Sequence, residues 1–501
     1  MVGLIATIIC VLGIWQLFRL NREREVRTST ALWIPVFWLF IGASRNVGEW
    51  LHFSSGSVSN SDRYLEGNPL DRALLSAVLV VGVIVLLSRG RLVGILLRSN
   101  IPILLYFLYC GTSVLWSDFP DVSFKRWFRA LGDVVMVLIV LSDPDWLAAT
   151  RRLLARVGFV VLPVSVLFIR YFPDLGRSYS KGGQPEWTGV GTDKNALGMI
   201  CLVFGLAAVF RFVQIRQEKE GARKGKPLIA QGALIVMASY LLYEAHSVTA
   251  ISCFFLAGGV MVLTQLLRVA RKPAVLHLLV ATVLMVPISA MFLGVGSNLV
   301  GELGRDSTFT GRTAIWQAAL SIADNPLVGA GYESFWLGQR LDQVSRSIQQ
   351  GVNQAHNGYI EIYLNLGWVG LAFLAGLFIT GYKRIFHAVR WQTQGGTLRL
   401  AFFIVAVAYN LGEGAFKMMH PLWILFLLAV AVVPKIPSQK APELNTQLDE
   451  AQSVSDAPAG VHVCVRQQPR DWTSDGGTVD FFGSRITERD CLQCFRTLKF
   501  V

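Results

Sequence analysis

Charge is scarce in this chain. Asp, Glu, Lys and Arg make up 16% of its 501 residues, where soluble domains carry about 25%. With 53% hydrophobic residues and a mean hydropathy of +0.48, this excludes an ordinary soluble fold. Cysteine is sparse as well. The 7 cysteines are scattered and form no disulfide framework. Cys10, Cys110, Cys201 and Cys253 fall in apolar runs and read as small packing residues. The chain has no P-loop, no Gly-x-Gly-x-x-Gly after a strand and no His-Glu-x-x-His, and no internal repeat. The first apolar block, "MVGLIATIICVLGIWQLF", lacks a preceding basic segment and a small-residue cleavage site, so it is expected to be a retained span.

What the chain does have is apolar blocks of roughly 15–23 residues, the length that crosses a bilayer as a helix. Lipid admits only helices or closed barrels, and uninterrupted blocks rather than alternating strands select helices. The expected spans are 2–18, 31–44, 73–88, 100–116, 130–142, 157–172, 195–212, 228–243, 249–267, 274–295, 358–380, 400–416 and 421–434. The fold class is therefore an all-α polytopic membrane protein with about 12–13 transmembrane helices and a large helical extracytoplasmic loop. The net charge of +13 sorts by side. Segments such as "FRLNREREVR", "RFVQIRQEKEGARKGK" and "YKRIFHAVR" fall on one face, with roughly three times the Lys/Arg density of the other, which makes that face cytoplasmic. Topology accounts for the charge, and no nucleic-acid partner is expected.

The organisation that follows is N-terminal spans in 1–99, further spans in 100–295, an outer loop at 296–357, C-terminal spans in 358–435 and a polar tail at 436–501. The outer loop contains an amphipathic helix. Thr310 is its expected cap, Ile315, Ala318, Ala319 and Ile322 repeat at helical spacing, and Asn325–Pro326 ends it. The tail is Pro/Ser-rich and expected to be disordered. His462, Cys464, Cys491 and Cys494 leave two readings open there, half a zinc site or a reduced extension.

The polar chemistry gathers at the outer boundary. Ionisable residues sit at span ends; Glu361 and Glu413 fall inside expected spans, near their outer ends. A transporter would be expected to show midplane charge and matching broken helices in two halves, which the sequence does not. Lys125, Arg126, Arg129, Arg177, Lys181, Lys194, Arg305, Arg312, Arg340 and Arg346 recur in the outer layer. Such cations suit a pyrophosphate head group; the alternative is that they only pair with lipid phosphates or snorkel. Arg312 lies in the first turn of the loop helix, where the helix dipole favours an anion. His356 is the residue there able to take a proton near neutral pH, although a lone histidine can equally be structural. Asp118 and Asp121 are spaced like a metal pair but sit in a turn-forming "SDFPD".

Four segments together resemble the O-antigen ligase/polymerase family of bacterial envelope glycosyltransferases. They are "VLWSDFPDVSFKRWFRALG", "GVGTDKNALGMI", "GRTAIWQAALSIADNPLVGAGYESFW" and "NQAHNGYIEIYLNLGWVGLA", in family order over roughly residues 100–430. The first resembles the exopolysaccharide polymerases within the family. The resemblance implies a site on the periplasmic side of the bacterial inner membrane. The implied donor is an undecaprenyl-diphosphate-linked glycan, and the acceptor a lipid-linked repeat or the lipid A core. It implies no metal and no cofactor. Residue by residue, Arg312, His356 and Asn357 match the family's catalytic positions, with Asn357 either holding the imidazole or a sugar hydroxyl, or capping the helix that follows. Lys194 and Asn195 match its Lys–Asn segment, and Arg126 lies in its Trp-Ser…Arg segment. Many members carry Ser–Arg or Ser–Lys where this chain has Ser247–Val248. His246, Arg177, Lys181 or Lys194 is expected to supply the missing cation.

Overall fold

Apolar runs of this length close their own backbone hydrogen bonds as helices, and helices dominate the chain. In chain order they are α1 (Val2–Leu20), α2 (Trp33–Gly42), α3 (Val47–Trp50), α4 (Pro69–Ser88), α5 (Gly90–Ser99), α6 (Ile101–Thr112), α7 (Pro120–Leu141), α8 (Trp146–Tyr171) and α9 (Pro173–Gly176). There follow α10 (Lys194–Gln217), α11 (Gly225–Ala245), α12 (Val248–Leu266), α13 (Pro273–Leu293), α14 (Thr310–Ser321), α15 (Gly338–Ser347), α16 (Gly358–Arg390), α17 (Gly396–Tyr409) and α18 (Pro421–Val430). A two-stranded antiparallel hairpin, β1 (Arg177–Tyr179) with β2 (Pro185–Trp187), pairs Ser178 with Glu186. The computed structural model describes residues 1–22, 28–51, 68–179, 183–218, 225–266, 272–293, 310–349, 351–391 and 395–434, all within one unit, Met1–Pro434. Lys181, Arg305, the side chain of Thr310 and the tail with its His and Cys residues lie outside the described residues.

The protein is an all-α polytopic membrane protein. Among the described residues, α1, α4, α8, α10, α11 and α16 are each long and apolar enough to cross a membrane. A seventh is added if Gly90–Ser99 and Ile101–Trp116, bent by 85°, count as one broken span. Shorter apolar helices run Thr30–Gly42, Val248–Thr264, Pro273–Met285, Gly396–Tyr409 and Pro421–Val430. Several helices differ from the expected edges. The expected 130–142 is the second half of α7, and the expected 400–416 stops at Tyr409, because Asn410 turns the chain by accepting from Ala415 N and Phe416 N at 2.7 and 3.2 Å.

The short helix α18 is buried along its whole length. Its last carbonyls have no next turn to bond, and neither lipid nor an apolar interior supplies donors. Arg399 donates to Ala429 O and Ala431 O, both at 2.6 Å, and Arg384 donates to Val430 O at 3.2 Å. At the other end Asp133, buried in α7, accepts from Trp38 Nε1 at 2.8 Å and Met419 N at 2.9 Å, tying α2, α7 and the turn before α18 together.

The described segment ahead of α16 forms a second apolar core. Ile315 and Ala319 of α14 pack with Phe335, Trp336, Leu341, Val344, Ala355 and Leu364. This core seats the loop on α16, which is broken at Gly367 (φ 65°, ψ −163°). The break frees backbone groups inside the fold, and the Asn325–Gly331 turn takes them up. Ala330 N and Gly331 N donate to Leu364 O and Asn365 O at 3.0 and 2.9 Å. Trp368 N and Val369 N donate to Pro326 O and Leu327 O at 2.9 and 3.1 Å. Tyr109 supplies its hydroxyl to Leu366 O at 2.9 Å. The Gly-x-Gly turn and the Leu-Gly-x-x-Gly of the sequence are thus two sides of one joint. A side chain at Gly367 would meet Leu327 O at 2.2 Å.

Candidate active site

Glu413 is the hub of a polar cluster at the N-terminal end of α16. Its side chain is 8% exposed and lies in the turn between α17 and α18, within the expected span 400–416 but past the observed end of α17 at Tyr409. Oε1 accepts from Arg312 Nη2 at 2.7 Å and from Asn195 Nδ2 at 2.9 Å; Oε2 faces His356 Nδ1 at 3.0 Å. Three distant segments therefore meet on the carboxylate of a fourth. Each is held by its own local structure. Arg312, on α14, also donates through Nη1 to Gly412 O. Asn195 opens α10, whose first turn is capped by Asp193, and its Oδ1 accepts from Ser247 Oγ at 3.3 Å.

His356 sits just before α16 in the left-handed backbone region, φ 51°, where a non-glycine residue costs about 1–3 kcal/mol and persists only when its surroundings over-determine it. They do so here. Trp316 Nε1 donates to Ala355 O at 2.7 Å, Ala355 N donates to Glu361 Oε1, and Gly358 N donates to Asn410 O at 2.8 Å. Asn357 is the helix cap. Its Oδ1 accepts from Tyr359 N and Ile360 N at 3.0 and 3.1 Å, and its Nδ2 donates to Leu411 O at 3.0 Å. Of the two readings for Asn357, the amide is engaged in the capping one.

The arrangement has a chemical consequence. An ionised carboxylate can only accept, so a neutral His356 places its hydrogen on Nδ1 and its lone pair on Nε2. With the side chain 30% exposed, Nε2 is the nitrogen available to a reactant. Arg312 offsets the Glu413 charge and places a guanidinium beside the imidazole.

The remaining expected residues are placed as follows. Arg126 donates to Glu333 O and lines a cavity of about 650 Å³ next to the cluster. Arg177 donates to Ile169 O at 3.0 Å and lies over the Trp187 ring. Lys194 pairs with Glu186 at 2.7 Å, and the exposed His246 packs its ring on Tyr243. Asn195 therefore joins the Glu413 cluster, while Arg177, Lys194 and His246 make these other contacts. Asp118 pairs with Arg340 at 2.5 Å. Glu333, half-buried on the cavity wall, has its carboxyl pushed up from the usual glutamate value by burial, with Arg126 and Lys417 pulling the other way. Glu413 is the functional candidate to which the sequence assigned no role. Its signal was an acid between glycines, "LGEG", closing an apolar run.

Residues 232–375 match the family model described as O-Antigen ligase. Over 300 residues the chain is 28% identical to the "Exopolysaccharide production protein ExoQ" of Rhizobium meliloti (strain 1021). The matches support an O-antigen ligase/polymerase-like family. The aligned stretch is 57% of this chain and 65% of that relative, so it spans under two thirds of the relative's length. Arg312, His356 and the Gly367 joint fall inside the segment matching the O-antigen ligase model; Asn195 and Glu413 fall outside it.

Proposed function

We propose that the protein is a membrane glycosyltransferase of the O-antigen ligase/polymerase type. It works at the periplasmic face of the inner membrane without a metal or cofactor. The donor is an undecaprenyl-diphosphate-linked oligosaccharide and the acceptor a sugar hydroxyl. The observation that carries this reading is the Glu413-held pair of His356 and Arg312. In the reaction the acceptor oxygen bonds to the donor's anomeric carbon while the bond from that carbon to the diphosphate oxygen breaks. The electron pair leaves with the lipid diphosphate. The acceptor's proton goes to His356 Nε2, and Glu413 stabilises the imidazolium that results. Arg312 offsets charge on the departing diphosphate. Polymerisation of lipid-linked repeats is favoured over ligation to lipid A core by the "WSDFPDVSFKRW" segment and by the exopolysaccharide relative.

The test uses the full chain in detergent with lipid-linked oligosaccharide, with and without EDTA. His356→Gln keeps size and hydrogen bonding but cannot act as the base, and turnover is expected to fall by about 10²–10⁴. Full turnover by that variant removes the histidine from the reaction. Loss of wild-type turnover on chelation shows that a metal takes part.

A further inference from the structure

The cavity beside the cluster carries a positive excess that the transfer step does not use. Its basic lining residues are Arg72 from α4, Lys125, Arg126 and Arg129 from α7, and Lys417 from the turn before α18. Arg129 feels the opposite charge of Asp71 as well as the like charges of Arg126 and Arg72. A cluster of guanidiniums on one concave wall is costly to assemble unless an anion shares the space. Its acidic lining residues are Asp193, Glu333 and Glu361, three carboxyls against the five cations. Asp193 accepts from Asn195 N and Ala196 N as the cap of α10. Glu361 accepts from Ala355 N and from Trp336 Nε1 at 2.8 Å. Glu333 interacts with Arg126 and Lys417, and the wall carries more cations than carboxyls.

The rest of the wall suits a sugar. Trp336 and Phe124 line it with aromatic rings, and Gln354 and Asn353 line it with amides. About 650 Å³ is within the range of small-ligand sites. The wall also runs into the proposed catalytic cluster, since Gly414 follows Glu413 and Gln354 lies two residues ahead of His356. The cations line a cavity shared by α4, α7 and α16, with Arg126 and Arg129 half-buried and Arg72, Lys125 and Lys417 exposed.

We propose that this cavity seats the acceptor glycan and selects one that carries an oxyanion. The proposal rests on the transfer reading above for the word acceptor, and on the cavity's own chemistry for the oxyanion. The anion is the carboxylate of an acidic sugar or the diphosphate through which the acceptor is lipid-linked; guanidinium forks fit both.

Binding separates these cases without catalysis. The full chain in nanodiscs is titrated calorimetrically with trigalacturonate, with neutral maltotriose and with inorganic pyrophosphate. An anionic probe is expected to bind at least about tenfold tighter than maltotriose, with the preference shrinking as salt rises. The double variant Lys125→Gln/Lys417→Gln is expected to lose most of it; both side chains are exposed, so folding is not at stake. His356→Gln is expected to bind all three probes as wild type does. Preference for trigalacturonate assigns the oxyanion to an acidic sugar; preference for pyrophosphate alone assigns it to the diphosphate. Equal binding of all three probes, or a preference untouched by the double variant, overturns the proposal. Wild-type protein that binds selectively but transfers nothing overturns the transfer reading and leaves the oxyanion site standing.

Discussion

Glu413 Oε2 lies 3.0 Å from His356 Nδ1, although 57 residues separate the two in sequence. The contact fixes which imidazole nitrogen carries the hydrogen. Glu413→Gln keeps the shape but brings an amide that can turn its donor toward Nδ1 and so invert the tautomer. Turnover by Glu413→Gln is expected to fall by about 10²–10⁴, with protein abundance kept and the pH–rate profile altered. An unchanged profile with near-normal turnover would make Glu413 a purely structural residue.

Arg312 uses two guanidinium nitrogens for two acceptors, Gly412 O and Glu413 Oε1. Lysine keeps the charge but not the fork. Arg312→Lys is therefore expected to lose most turnover and to lower the thermal midpoint, since one acceptor at the hub is left without its donor. Near-normal polymer at equal protein level would reduce Arg312 to a charge anchor.

Much of this was legible in the sequence, for identifiable reasons. Long apolar runs announce helices, and Ile315 and Ala319 repeat at the spacing that buries one helix face. Arg312 and His356 stand out through the resemblance of their segments to a known family, since a lone cation or histidine at an apolar boundary can equally be structural. Glu413 was hidden by the apolar run around it. The run through "AFFIVAVAYNLGEGAF" reads as one continuous span, and only the side chain of Asn410, bonding two amides ahead of it, shows that the helix ends first. The basic cavity was not legible because it is assembled from α4, α7 and the turn before α18, which sequence distance keeps apart.

The joint at Gly367 offers a test of the fold. Alanine there must adopt φ 65° and bring its Cβ to 2.2 Å from Leu327 O. The backbone strain alone is about 1–3 kcal/mol, and the clash adds to it. Gly367→Ala is expected to lower yield and thermal midpoint together with activity. Gly376→Ala in the same helix, where a Cβ meets nothing within 4 Å, is expected to be neutral or slightly stabilising. Equal effects would mean that the break in α16 is not built into the native chain.

Topology is tested by an impermeant thiol reagent in a background with the native cysteines replaced. Asp324, with its side chain 76% exposed, belongs to the outer loop, and Glu218, 48% exposed, to a basic segment assigned to the cytoplasm. Asp324→Cys is expected to react in intact spheroplasts and Glu218→Cys only after lysis. The reverse pattern would put the Glu413 cluster on the cytoplasmic side and end the periplasmic reading.

Glu333 gives a pH dependence whose sign can be worked out. Its backbone is left-handed, φ 53°, and Arg126 donates to its carbonyl, so the side chain is held on the cavity wall. Burial raises its pKa above the ordinary 4.5, and the attraction of Arg126 and Lys417 reverses only part of that rise. A group whose folded pKa exceeds its unfolded one contributes stability fully below the unfolded pKa and loses it as pH rises through the folded pKa. Gln does not titrate and mimics the protonated form. The thermal midpoint of Glu333→Gln is therefore expected to match wild type below about pH 4. Above that it should pull ahead as pH rises, and the gap should level off once the wild-type carboxyl is ionised. Scans at one heating rate across that range measure the gap directly. A Glu333→Gln protein less stable than wild type at neutral pH would mean that Arg126 and Lys417 outweigh desolvation, and that the carboxylate is a working counter-ion of the basic wall.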